Sequence, residues 1–290
     1  VGGDPVRGGL VETPARAGPV RIGLTRINRY PVKSCRGHAV DAATVERCGL
    51  AGDRRWMLID DRDHTVTARE EPALVLVTPE PTPDGLILSA QGRPPLTVSF
   101  PEPSAVPARV HAHEITATPA APAAHDWFSR LLDRPVRLVH LDDPARRRTD
   151  PDFTEPGDRV SLADGYPLLL TTTESLDALN DLVAAGPHAG AGPMTMTRFR
   201  PNLVVTGAPA WAEDGWRRVR IGAAEFRAVK GCSRCVLTTV DPEAGVKGRE
   251  PLYTLARHRS WDGKTWFGVN LVPDNPGVTI RTGDPVEILE

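Results

Sequence analysis

Apolar and polar positions alternate with a period of two over many short stretches of this chain, which is the pattern of strands with one buried face. The alternation opens at Val20-Arg21-Ile22-Gly23-Leu24. Arg55–Ile59 and Thr65–Ala68 flank the polar Asp60–His64 segment and read as a hairpin. Strands are predicted next at Leu74–Val77, Leu86–Leu88, Leu96–Phe100, Arg109–Ile115 and Val136–Leu141. Later in the chain they are predicted at Asn202–Thr206, Val219–Ile221, Glu225–Val229, Val236–Val240, Phe267–Val272, Val278–Ile280 and Val286–Leu289. Helical spacing is confined to three places. One is His125–Leu132; another starts at Thr173 as N-cap and sets Leu176, Leu179, Leu182 and Val183 on one face. The third is short, from Pro251 through Arg257, with proline suited to the first turn.

The segment 142–158 is polar and Arg-rich, with no apolar period, and reads as a junction. It separates an N-terminal unit over 20–141 from a C-terminal unit over 159–290, while the Gly- and Pro-rich residues 1–19 read as a flexible tail. A length of 290 residues suits two domains, and 29 prolines with 26 glycines leave little room for long helices. The expected class is β-rich α+β, built as barrels or sandwiches.

Net charge of −2 gives no bulk reason to bind nucleic acid or an anionic membrane. No run approaches the ~20 apolar residues of a membrane span, and no signal peptide is legible. Four cysteines in so long a chain do not form a disulfide framework; free thiols in a reducing, cytoplasmic compartment are expected.

Two of those cysteines form the C-x-x-C of Gly231-Cys232-Ser233-Arg234-Cys235-Val236. Structural zinc would need a second ligand pair, and His258 stands alone. Covalent haem would need His where Val236 stands, and an iron–sulfur cluster would need more cysteines in a recognisable spacing. A thioredoxin-like pair sits at a helix N-terminus, whereas β-branched Val236, Thr238, Thr239 and Val240 favour a strand here. Cys232 and Cys48 read as small buried hydrophobes. Asp241-Pro242 reads equally as a turn opening or a proton relay.

The run Cys232–Pro242, continuing to Glu250-Pro251-Leu252 and Leu255, resembles the MOSC domain of molybdenum-cofactor sulfurases, and most of all the amidoxime-reducing components and their bacterial relatives. Tyr30-Pro31-Val32-Lys33-Ser34-Cys35, Asp53-Arg54-Arg55-Trp56, Thr67-Ala68-Arg69, Phe199-Arg200-Pro201-Asn202, Ala212-Glu213-Asp214 and Gly283-Asp284-Pro285-Val286 match the same family in the same order. The resemblance covers residues 20–290. It implies an N-terminal β-barrel-like domain followed by a MOSC β-barrel domain with short peripheral helices. Between them would lie a molybdenum cofactor (Mo-molybdopterin), or the phosphate-bearing pyranopterin alone.

Carried over residue by residue, Cys235 would be the catalytic thiolate and metal ligand, a soft donor suited to molybdenum. Lys33, Ser34, Arg54 and Arg200 would hold the pterin phosphate. Ser233, Gly165, Tyr166 and Asn270 would also contact the cofactor. Gly165-Tyr166 replaces the Thr-Ser pair of the mitochondrial members and Asn270 replaces their Tyr, so the pocket lining departs from theirs. The implied reaction is two-electron reduction of small N-hydroxylated compounds, namely amidoximes, hydroxylamines or N-hydroxylated bases. Electrons would come from a separate protein of ferredoxin or flavin-reductase type. A cofactor-binding or sulfur-carrier role without turnover is the alternative. No membrane anchor, pyridoxal-phosphate domain or fused ferredoxin domain is read.

Overall fold

The computed structural model describes residues 21–290; the tail at 1–19 and Val20 lie outside the described residues. Its largest sheet runs in the spatial order His38–Val40, Gly23–Arg29, Leu203–Thr206, Leu168–Thr172, Lys264–Pro273, Ala224–Ser233, Arg218–Ile221 and Val286–Ile288. Most neighbours are antiparallel; the exception is Leu168–Thr172 beside Leu203–Thr206, which are parallel. Their connection contains the helix Thr173–Ala184, as a parallel pair requires.

The sheet closes on itself. Leu24 N–H donates to Asp284 O at 2.9 Å, Gly283 N–H to Leu24 O at 2.7 Å, and Val286 N–H to Ile22 O at 2.9 Å. Closure leaves few free edges, and the inward faces supply one core that includes Leu24, Ile27, Leu170, Val205, Ile221 and Phe226. The first strand therefore belongs to a sheet built mostly from the second half of the chain. Ala42–Glu46 likewise pairs with Thr279–Arg281, so the two halves interleave.

The rest of the N-terminal half forms a second layer. One sheet is ordered Val106–Val110, His113–Pro119, Arg137–His140, Trp56–Ile59 and Thr65–Val66. A meander of Thr78–Thr82, Gly85–Ser89 and Leu96–Ser99 lies apart from it. The helix Pro122–Leu132 contributes Phe128 to a core shared with Trp56, Leu58, Leu86, Val98 and Leu138. The β-rich class with short helices is as expected.

Three expected strands form differently. Leu74–Val77 lies largely in a 3-10 turn, Pro72–Leu76, because proline starts the turn and an unalternating apolar run carries no strand-specific period. Arg109–Ile115 is two strands, folded back at His111, which takes a φ of 53° without the glycine or asparagine that usually marks such a turn. Val236–Val240 is a 3-10 turn over Val236–Thr239. There Thr238 Oγ1 donates to Cys235 O at 3.0 Å and Thr239 Oγ1 to Val236 O at 2.8 Å. Those local bonds compete with the ladder that β-branched residues would otherwise favour. The helix at 173 is capped one residue earlier than expected, by Thr172 Oγ1 accepting from Ser175 N–H at 3.0 Å.

Phe199, directly before Arg200, and Phe267, on the strand Lys264–Pro273, stack at 3.9 Å between centroids, both buried. Phe267→Ala should destabilise the protein by about 3–5 kcal/mol, read as a lower urea midpoint with an unchanged slope.

Candidate functional site

A cavity of about 540 Å³ opens between the layers, and Lys33, Ser34, Arg54, Gly165, Tyr166, Arg200, Ser233, Cys235 and Asn270 all line it. Residues spread over most of the sequence thus meet on one surface. The turn after the first strand supplies Lys33 and Ser34, latched by Lys33 N–H to Trp56 O at 2.7 Å. Arg54 N–H donates to Tyr30 O at 2.7 Å, and Asp53 Oδ1 accepts from Tyr30 N–H at 2.8 Å, so the two loops form one unit.

Ser34, Arg54 and Arg200 have φ of 71°, 48° and 56°. Positive φ is uncommon for residues bearing a Cβ and clusters where geometry serves a site. The strand that carries Cys232 and leads to Cys235 shifts register between Ala228 and Lys230 and again between Gly231 and Ser233. Such bulges re-aim side chains near sites. On the facing strand, Asn270 Nδ2 donates to Gly231 O at 3.2 Å.

Two guanidiniums share one aromatic support. Arg54 and Arg200 lie 4.5 and 4.4 Å from the centroid of the Tyr30 ring. Arg54 is held by Asp53 Oδ2 at 2.6 Å, Asn202 Oδ1 at 3.2 Å and Arg200 O at 3.1 Å. Among the described residues Arg200 has no carboxylate partner, and its Nη2 is buried without a hydrogen bond. Burial, with nearby Arg54, pulls its pKa down to about 10 against the opposing pull of Tyr30. A buried donor left open on a cation is costly unless an acceptor arrives.

A second knot surrounds Asp164. Lys33 Nζ lies 2.5 Å from its Oδ1 and donates to Leu162 O at 2.8 Å. The Arg69 Nη2 group donates to its Oδ2, while Arg69 Nε donates to Cys235 Sγ at 3.2 Å. Burial lowers Lys33 to about 8 despite Asp164. Burial would raise Asp164, but Lys33, His111 and Arg69 together hold its carboxyl well below the usual range. Arg147, also buried, donates to the carbonyls of Ser161, Ala163 and Asp164 and so fixes the loop that carries Asp164. It lies in the polar 142–158 segment, which has no apolar period.

Arg69, Asp164 and Arg147 were not singled out as site residues from the sequence. Arg69 stood in a matched stretch, and nothing in the spacing pairs it with residues 95 and 166 positions away. Cys232 is not the buried hydrophobe expected: it lines the cavity, and Arg234 Nη1 donates to its Sγ at 2.8 Å. The register shifts beside it explain the difference, since they turn its side chain out of the strand's buried face. Cys48 is buried as expected, with its thiol pushed up to about 12 by burial and Glu46. Asp241 serves its turn, accepting from Glu243 and Ala244 N–H at 2.8 and 2.9 Å and pairing with Arg198 at 2.7 Å.

Residues 22–135 match the MOSC N-terminal beta barrel domain and residues 157–287 the MOSC domain. The chain is 39% identical over 280 residues to mitochondrial amidoxime-reducing component 1 of Homo sapiens, covering 90% of this chain and 81% of that protein. It is 35% identical over 277 residues to mitochondrial amidoxime reducing component 2 of Homo sapiens, covering 89% and 80%. Among solved structures, the YUAD protein of Bacillus subtilis aligns over 91% of this chain and 94% of its own, at 12% identity and a TM-score of 0.41.

The cluster of cations with an open donor should bind a small multivalent anion. Inorganic phosphate should raise the melting temperature of the wild type by a few degrees and that of Arg200→Met by much less. Because Lys33 loses its proton near pH 8, the shift should shrink as pH rises from 7 to 9. Lys33→Met should give a smaller shift with no such fall.

Proposed function

The chain belongs to the family that joins a MOSC N-terminal beta barrel domain to a MOSC domain and includes the amidoxime-reducing components, and we propose that its cavity holds a molybdenum–pterin cofactor. It is an oxidoreductase that acts reductively on nitrogen compounds. The observation that carries the finer reading is convergence. The thiol of Cys235, with that of Cys232 nearby, and a group of cations including Lys33, Arg54 and Arg200 line a single cavity. Neither demand alone selects this cofactor; a soft donor for the metal and donors for a phosphate are needed together.

The residues fit the group. Cys235 would ligate the metal, with Arg69 Nε–H oriented at its sulfur. Arg200 Nη2, buried and without a partner, would complete its bonding on a phosphate oxygen, with Arg54, Lys33 and Ser34 beside it. Ser233 and the backbone at Gly165-Tyr166 would border the pterin. Tyr166 is drawn aside, its hydroxyl donating to Asp150 Oδ2 at 3.2 Å. When bound, such a cofactor supplies two-electron chemistry at the N–O bond. The net reaction converts R–NH–OH, two electrons and two protons to R–NH2 and water.

Asp164 has two duties in this scheme. It keeps Arg69 aimed at Cys235 and offsets the charge of Lys33, so that the cations can share a site before any anion arrives. The substrate is a small N-hydroxylated compound, and a separate protein delivers the electrons. The four cysteines are free, in keeping with a reducing, cytoplasmic setting.

Protein made in a host that synthesises the cofactor should contain near-stoichiometric molybdenum and reduce benzamidoxime with an artificial donor. Cys235→Ser should lose the reduction by at least about a hundredfold, as expected for removal of the reacting centre's own ligand, whereas Cys232→Ser should retain it. Molybdenum without turnover under any donor would instead favour a carrier, and metal-free protein that still turns over would refute the cofactor reading.

A further inference from the structure

Electrons must reach Cys235 from outside, and the surface around it has a distinct make-up. Three exposed segments are tied to the cysteine loop. The hairpin at 260–265 is fixed by Arg234 N–H donating to Thr265 O at 2.8 Å and by Thr265 Oγ1 donating to Arg234 O at 3.2 Å. The loop at 241–248 is fixed by the bridge between Val240 and Lys247 and by Gly248 N–H to Thr239 O at 2.9 Å. The helix Leu252–His258 follows directly.

These segments present apolar side chains to solvent. Val236, next to Cys235, is 41% exposed, Val246 63% and Trp261 44%. Trp261 is held firmly: its ring lies 5.8 Å from that of buried Trp266, whose Nε1 donates to Trp261 O at 3.0 Å. Trp266 in turn packs on Gly231, where a Cβ would come within 3.1 Å of the indole. An ordered aromatic pair therefore leads from the surface to the strand that carries Cys232 and ends just before Cys235.

The same segments carry Lys247, Arg249, Arg257 and Lys264, all exposed and, among the described residues, without an ion-pair partner, and Lys264 also lines the cavity. The nearby acids are mostly engaged: Glu243 by Arg36, Asp241 by Arg198 and Asp214 by Arg259. Among the described residues, Asp262 and the buried Glu250 are the acids of these segments left without an ion-pair partner. On the far edge of the barrel the arginines are paired instead, with Arg218, Arg220 and Arg227 held by Glu225, Asp274 and Asp158.

We propose that this face docks an acidic one-electron carrier protein, a partner for the site proposed above and an inference that rests on that reading. Exposed apolar side chains interspersed with unpaired charges of one sign suit a brief, steered encounter with an oppositely charged protein. Each N–O bond cleaved takes two visits, with the reduced carrier oxidised by one electron each time and two protons taken from water. A small neutral N-hydroxylated substrate gives no role to Lys247, Arg249 and Arg257, which do not line the cavity.

The test uses the cofactor-loaded full chain with two donors, a reduced acidic [2Fe–2S] ferredoxin and reduced methyl viologen. The variants are a triple charge reversal (Lys247→Glu, Arg249→Glu, Arg257→Glu) and Trp261→Ala. Expected is a rise of about tenfold or more in KM for ferredoxin at low salt, a flattened salt dependence, and an unchanged viologen rate. An unchanged ferredoxin KM, or equal losses with both donors, would overturn the docking face. So would tight binding of a single-stranded oligonucleotide that the triple variant abolishes while ferredoxin kinetics stay the same. If the wild type fails with viologen, the proposed function fails instead. Docking is then judged by direct titration with ferredoxin, where absence of salt-sensitive binding refutes it.

Discussion

Like charges must be kept together in a partly dry cavity, and the local structure is arranged around that constraint. Burying a cation costs several kcal/mol unless its hydrogen bonds and charge are answered. Asp53 answers Arg54, Asp164 answers both Lys33 and Arg69, and carbonyls answer Arg147. The Tyr30 ring carries Arg54 and Arg200 on its electron-rich face. Among these inward cations of the described residues, Arg200 is answered by neither carboxylate nor carbonyl, and its Nη2 is left open.

The same constraint ties the halves of the chain together. Arg69 comes from the N-terminal half and Cys235 from the C-terminal half, and Asp164 lies just past the polar segment between them. The barrel closes through bonds between residues 22–24 and 283–286. Opening it would therefore disturb the first strand and, through the Asp53–Tyr30 bond, the loop that presents Arg54. Stability of the sheet and geometry of the site are one problem for this chain.

How much of this could be read beforehand followed physical lines. Strands with one buried face, such as Trp56–Ile59 and Leu203–Thr206, show in the period of two. Of the nine expected residues that line the cavity, Lys33, Ser34, Arg54, Arg200, Ser233 and Cys235 were legible through their neighbours in matched stretches, as no single lysine or arginine distinguishes itself from a solvated surface charge, whereas Gly165, Tyr166 and Asn270 stand where the chain departs from the family. Turns made by side-chain bonds were not legible. Thr238 and Thr239 look like strand residues until their hydroxyls are seen to bond backward. Nor were Asp164 and Arg147 legible, because their importance comes from partners that only the folded topology brings near.

The backbone under Ser34, Arg54 and Arg200 carries a lesson about sequence change. Each holds a positive φ that glycine would adopt more cheaply, by on the order of 1 kcal/mol. Selection for heat resistance alone would thus favour glycine at the positions whose side chains the cavity needs. A thermostabilised descendant that kept the barrel but drifted to glycine there would be a sturdier protein with an empty-handed cleft.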